Sequence, residues 1–174
     1  AVLTTALAFV LAYTIHYTNV PGGLKKFIRL AAVVPMLLPT ITYGFAIIYS
    51  FGRQGFITGM IGHQMFEIYG FYGLLLGYVI YTLPISFMLI LNTMSFIDKK
   101  FMIVSRIMGD SPLKTFLGTV IRPLLGTLAA SFVQCFFLCF TDFGIPASVG
   151  GQYDVVATVL YNEMLGSGPD FNRG

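Results

Sequence analysis

Four long apolar stretches, separated by polar and glycine-rich segments, make up most of this chain. They cover residues 1–18, 29–51, 71–91 and 124–141. A helix needs roughly 20 mainly apolar residues to cross a bilayer, and each stretch approaches or meets that length. The pattern therefore predicts four membrane-spanning helices. Residues 97–123, between the third and fourth stretches, and residues 142–174, after the fourth, are predicted to lie outside the bilayer.

Composition supports this interpretation and adds a fold class. The chain has 174 residues, of which 56% are hydrophobic and 10% are charged, whereas soluble domains have about 25% charged residues. So few charges could not cover a water-facing surface. We expect an all-α membrane protein, a polytopic transmembrane helix bundle. Because the chain opens inside an apolar run and without Met, we also expect it to be a fragment of a longer protein.

The charged residues indicate how the helices cross the membrane. All Lys and Arg residues except Arg53 and Arg173 fall around the first-to-second and third-to-fourth connections. Acidic residues on the opposite side are Glu67, Asp142, Asp154, Glu163 and Asp170. Since loops facing the cytoplasm carry excess Lys and Arg, segment 97–123 of this multi-pass protein is predicted to be cytoplasmic. The basic residues form no single patch, so no nucleic-acid partner is expected.

Polar residues inside the fourth stretch form one stripe. Thr127, Ser131 and Gln134, together with Cys135, recur at helical spacing. A polar stripe on a spanning helix should face either other helices or a water-filled path. Both interpretations stay open, so these residues are candidates for lining a translocation pathway. Separately, Pro35 and Pro39 in the second stretch predict a kink that frees backbone carbonyls.

Residues that could carry out catalysis are scarce. His63 and Glu67 have i, i+4 spacing, but a third metal ligand is not evident, so no metal site or cofactor is expected. No phosphate-binding GxxxxGK[ST] motif occurs. The letters DFG at 142–144 follow a spanning helix and lack the other kinase motifs. The spans also contain no Asp or Glu well inside them, which disfavours an intramembrane enzyme or an ion-driven transporter.

The loop 97–123 has the pattern of two short helices about a glycine break. Phe101, Val104, Ile107 and Met108 fall on one face of the first helix. Gly109 would end that helix, and Asp110 or Ser111 would cap a second one with Pro112 near its start. The apolar face could rest on the membrane interface or bind a groove in a soluble partner.

This loop resembles the signature loop of permease subunits of binding-protein-dependent ABC importers. Gly109, followed by DSPLKTF, and the later Pro123 correspond to the glycine and proline of that pattern. Ser105 stands in the family's Glu-Ala-Ala position, preceded by Ile and Val, and Arg122 replaces the usual Leu. The following FTDFGIPASVGGQYD is similar to the ferric-iron and phosphonate-type permeases.

The resemblance implies a fragment of a type I importer permease, a multi-pass protein of a bacterial inner membrane without catalysis of its own. The implied ATPase-coupling residues are Ser105, Gly109, Asp110, Ser111, Pro112, Leu113 and Pro123. The implied partners are cytoplasmic ATP-binding subunits, which hydrolyse ATP, an extracytoplasmic solute-binding protein and a second permease module. Ferric iron or phosphonate is the favoured solute. A non-transporting membrane anchor and an intramembrane enzyme are the alternatives.

Overall fold

The computed structural model describes residues 1–165, so the predicted external residues Asp170 and Arg173 lie outside the described part. Within it the chain forms α-helices and no strand. The α-helices are α1 (Val2–Tyr17), α2 (Gly22–Val33), α3 (Thr40–Phe51), α4 (Phe56–Ile61), α5 (Phe71–Ser95), α6 (Lys100–Ile107), α7 (Pro112–Phe116), α8 (Arg122–Thr141), α9 (Gly144–Val149) and α10 (Val156–Leu165). The all-α fold class is therefore confirmed.

Two helices among the described residues are long and apolar enough to cross a membrane. They are α5, with 25 residues, and a continuous helix of 30 residues, Pro112–Thr141, that contains α7 and α8. The α2–α3 pair adds a third if it is counted as one broken span, and α1 is a shorter apolar helix. Four complete spans thus stay a prediction.

The chain divides into two units, each with its own core. Residues 1–34 and 83–135 form the first unit, and residues 35–82 with the described residues from 136 onward form the second. The first core includes Ala8, Ala12, Phe87, Ile90, Met94 and Leu124. The second includes Tyr43, Ile47, Ile68, Leu74, Ile145 and Val149. Helices α5 and α8 each contribute to both units.

The second predicted span, 29–51, is not one continuous helix. It is divided into α2, a 3₁₀ turn over Val34–Leu37, and α3, which starts directly after Pro39. The physical reason is that proline has no backbone N–H and clashes with the preceding turn. The hydroxyl of Tyr43 hydrogen-bonds to the carbonyl of Pro35 and lies 3.1 Å from the carbonyl of Leu38. The Pro35 carbonyl also accepts the backbone N–H of Leu38 at 3.0 Å, so a backbone donor and a side-chain donor together satisfy the carbonyls at this break.

Close packing of α9 against α3 defines the second unit. The Asp142 carboxylate is buried and accepts the backbone N–H of Ile145 at 3.0 Å, which holds the first turn of α9. A Cβ at Gly144 would lie 2.7 Å from the backbone nitrogen of Ile41, so only glycine allows this approach. The DFG letters therefore form a helix start that is packed against α3.

We predict that Tyr43→Phe destabilises the protein by about 1–2 kcal/mol, because it removes the hydroxyl that hydrogen-bonds to the Pro35 and Leu38 carbonyls at the proline break. Tyr49→Phe is the matched control, since Tyr49 lies on the same helix and is 75% exposed. The measurement is thermal unfolding of the full-length protein in detergent. Equal melting temperatures for the two variants would contradict the role given to the Tyr43 hydroxyl.

Candidate functional site

The turn between α6 and α7 has the local structure that its residues predict. Helix α6 ends at Ile107, and Gly109 adopts a φ of +84°, in the left-handed region that favours glycine. Ser111 is the N-cap of α7, since its Oγ accepts the backbone N–H of Lys114 at 3.3 Å. Pro112 is the first residue of that helix. The predicted pair of short helices about a glycine break is confirmed, with Ser111 and not Asp110 as the cap.

A cluster of four polar side chains, Ser105, Asp110, Lys114 and Thr115, joins α6 to α7. Ser105 donates its hydroxyl proton to the Asp110 carboxylate at 2.8 Å. Because that proton is committed, Thr115 donates to Ser105 across 3.0 Å. Lys114 Nζ lies 2.5 Å from the other Asp110 oxygen. We call this set the polar cluster; it fixes the angle between the two short helices.

The polar cluster keeps Asp110 ionised. Hydrogen bonds from Lys114 and then from Ser105 hold the pKa of the Asp110 carboxyl below its usual 3.8. Because the pKa of Asp110 is lower in the folded state, the stabilisation from its ionised carboxylate is complete at any pH above the usual carboxyl range. This stabilisation is lost only as the pH falls through the lowered pKa. At neutral pH the cluster is therefore fully formed.

Three apolar side chains of the same turn are exposed. Ile107, Met108 and Leu113 are 79%, 78% and 67% exposed; we call these three the apolar anchors. Leu113 also lines an open groove of about 590 Å³, together with residues that include Ser111, Leu117 and Arg122. Contiguous exposed apolar residues with a polar rim are typical of surfaces that bind a partner or a membrane.

Pro123 does not separate the loop from the fourth span. The residues before it, Leu117–Ile121, form a π-helical segment, and the N–H of Arg122 bonds to the carbonyl of Leu117, five residues back. Proline cannot donate to the carbonyl of Thr119, and a wider turn accommodates that loss. Residues 112–141 are therefore one continuous helix, and the expected boundary between loop and span at 123/124 stays a prediction.

The structure places two of the three candidate pathway residues at a helix–helix contact in the first unit. Thr127 Oγ1 donates to Thr93 Oγ1 of α5 at 3.2 Å, and Ser131 Oγ donates to Ser86 Oγ at 2.9 Å. Gln134 is exposed. The helix-contact interpretation thus holds for Thr127 and Ser131, and pathway lining by the three residues stays a prediction.

Sequence analysis missed the partners on α5. Ser86 and Thr93 are seven residues apart and lie on one helix face, a spacing that could have identified them. Ser86 also lies 2.7 Å from the thiol of Cys135.

As for metal chemistry, no group of three or more His, Cys, Asp or Glu side chains that could hold an ion occurs within residues 1–165.

Long apolar helices joined by an exposed loop define a membrane protein, and comparison with known proteins identifies its family. Residues 5–168 match the family described as binding-protein-dependent transport system inner membrane component. The chain belongs to this family, whose members are permeases of ABC importers.

Named relatives transport different solutes. The ferric transport system permease protein FbpB of Actinobacillus pleuropneumoniae is 26% identical over 94% of this chain and 24% of its own length. The probable sulfate transport system permease protein cysT of Helicosporidium is 27% identical, over 95% and 62%. The thiamine transport system permease protein ThiP of Salmonella typhimurium is 30% identical, over 87% and 28%. The chain spans about a quarter of the length of the ferric relatives it matches.

We predict that Gly109→Ala loosens the turn, because a Cβ at a φ of +84° costs about 1–2 kcal/mol. Trypsin cleavage at Arg106 and Lys114, in inside-out vesicles containing the full-length protein, should become at least about fivefold faster, since cleavage follows the open population. Gly126→Ala is the control, because nothing lies within 4 Å of a Cβ at that position. If both variants were cleaved at the parental rate, the left-handed turn would not limit opening.

Proposed function

We propose that this chain is part of the translocating permease of an ATP-driven importer in a bacterial inner membrane. In this proposal the α6–α7 turn docks into a groove of a cytoplasmic ATP-binding subunit. The observation that carries the proposal is the pairing of three exposed apolar anchors with a polar cluster that fixes the turn supporting them.

The two sides of the turn support docking in different ways. Burying an exposed leucine at an interface stabilises a complex by roughly 1.5–3 kcal/mol when the burial is complete. The polar cluster holds the turn in one conformation before binding, so less conformational entropy is lost on association. Gly109, Ser111 and Pro112 have the same role, because they set where each short helix ends and begins.

Continuity of the helix from Pro112 to Thr141 supports transmission of the ATPase movement. A displacement of α7 reaches α8 without passing through a flexible linker. The contacts of Thr127 with Thr93 and of Ser131 with Ser86 then carry the displacement to α5. Alternating exposure of the pathway would follow from this shift of α8 and α5, and Gln134, exposed on α8, is the candidate for contacting the solute.

The remaining parts of the proposal concern the whole importer. A solute-binding protein would deliver the solute from outside, and a second permease module or subunit would complete the pathway. Because the relatives include ferric, sulfate and thiamine permeases, the solute class we propose is a small polar or charged compound. Ferric iron is the first to test.

We predict that Leu113→Ala in the full-length protein uncouples ATP hydrolysis from transport while leaving membrane insertion intact. In proteoliposomes containing the complete importer, stimulation of ATP hydrolysis by the solute-loaded binding protein should fall about tenfold, which corresponds to losing most of one buried leucine. Leu24→Ala is the control, since Leu24 is an exposed leucine on the same predicted side of the membrane but outside the turn.

Two results would count against this assignment. Normal stimulation and transport by Leu113→Ala would show that this residue is not an anchor. A parental complex whose ATPase subunit binds the turn but never responds to the solute would instead identify a scaffold subunit.

A further inference from the structure

A second feature of the first unit lies away from the turn, where α2 passes α5. Lys26, Arg29, Leu30 and Val33 have i, i+3, i+4, i+7 spacing and form one face of α2. Together with Met88 of α5 they line an open cleft of about 480 Å³. The cleft therefore combines two cations with an apolar wall. We infer that it binds one acidic phospholipid, with the phosphate at Lys26 and Arg29 and an acyl chain along Leu30, Val33 and Met88.

Within residues 1–165 no carboxylate forms an ion pair with the two cations of the cleft. The first acidic residue in the sequence is Glu67, so α2 and the segment before it carry no carboxylate. Among the residues that the structure describes, the ion pair that forms is Lys114 with Asp110, far along the chain from α2. Two neighbouring cations without a carboxylate suit a phosphate, to which a guanidinium can donate two parallel hydrogen bonds.

The position of the cleft along α5 suits a lipid better than a soluble anion. Met88 lies seven residues before Ser95, the end of α5, which corresponds to about 10 Å along a helix. Helix α2 also exposes Phe27, at 67%, beside its basic residues. A helix with apolar and basic faces lies in the membrane interface, where its cations reach headgroups and its apolar residues reach acyl chains.

The two cations of the cleft also favour an acidic lipid over a zwitterionic lipid or a helix of another subunit. With the cytoplasmic orientation taken from the proposed function, α2 lies at the leaflet surface whose acidic lipids attract basic segments. A zwitterionic headgroup would bring its own cation toward Lys26 and Arg29. A transmembrane helix of another subunit would cover the apolar wall but leave both cations unpaired, which is costly near the bilayer.

The test uses the full-length permease with its partner subunits, in nanodiscs of phosphatidylcholine. Each nanodisc preparation also contains a small fraction of a probe lipid that carries a photoactivatable diazirine on its acyl chain. The probe is phosphatidylglycerol in one preparation and phosphatidylcholine in the other. After irradiation, peptide mass spectrometry locates the labelled residues. We expect phosphatidylglycerol to label the peptides containing Leu30, Val33 and Met88 at least about tenfold more than phosphatidylcholine does, as two basic contacts imply.

A pair of charge-matched variants separates the cleft from a general surface charge. K26Q/R29Q should remove the preference for phosphatidylglycerol. K25Q/K100Q removes the same charge from residues that do not line the cleft, and should keep the preference.

Three results would overturn the inference. The first is equal labelling of the cleft by the two lipids, and the second is an equal loss of the preference for phosphatidylglycerol in both variants. The third is no labelling of the cleft, which would mean that another segment covers it. Because neither transport nor ATP hydrolysis is measured, the result is independent of whether the proposed function holds.

Discussion

Wherever a helix of this chain breaks, backbone carbonyl and amide groups lose their partners, and in a membrane protein water is not at hand to replace them. At two breaks the chain meets this constraint with its own side chains. Tyr43 hydrogen-bonds to the carbonyl of Pro35 at the break between α2 and α3, and Asp142 accepts an N–H at the start of α9. Before Pro123 the helix widens to π geometry and continues.

The α6–α7 turn applies the same rule in a different setting. Ser105, Asp110, Lys114 and Thr115 satisfy one another there, while Ile107, Met108 and Leu113 stay exposed. A loop that had only to connect two spans would not need these exposed apolar side chains, because they gain nothing from water. Their exposure is understandable if a partner buries them, which is the basis of the proposed coupling role.

Local chemistry explains which parts of the fold the sequence could predict. Gly109, Ser111 and Pro112 each have a conformational preference that acts within a few residues, so the glycine break and the cap were predictable. The break at Pro35 and Pro39 was predictable for the same reason. In contrast, the continuous helix through Pro123 depends on a π segment, and no local rule distinguishes that outcome from a helix end.

Contacts between helices were harder to predict from the sequence. The stripe of Thr127, Ser131 and Gln134 was visible in the sequence, but its orientation depends on where α5 lies. Ser131 meets Ser86 on α5, whereas Gln134 is exposed. With Cys135 the stripe has four residues and covers a broad arc of a helix, so its members can face different surroundings. Periodicity alone therefore left the helix-contact and pathway interpretations undecided.

Whether the turn contacts an ATPase is the central claim, and a cysteine at an apolar anchor tests it most directly. Met108→Cys keeps the glycine turn, the Ser111 cap and the polar cluster, because Met108 belongs to none of them and is exposed. In membranes containing the whole importer, a short bis-maleimide should crosslink the introduced cysteine to the ATP-binding subunit with a yield that changes when ATP is added. Met36→Cys, at an exposed methionine in the break between α2 and α3, should give no such product. If the Met108→Cys variant crosslinked to no ATP-binding subunit, while its new thiol still reacted with a soluble maleimide, the account would be contradicted.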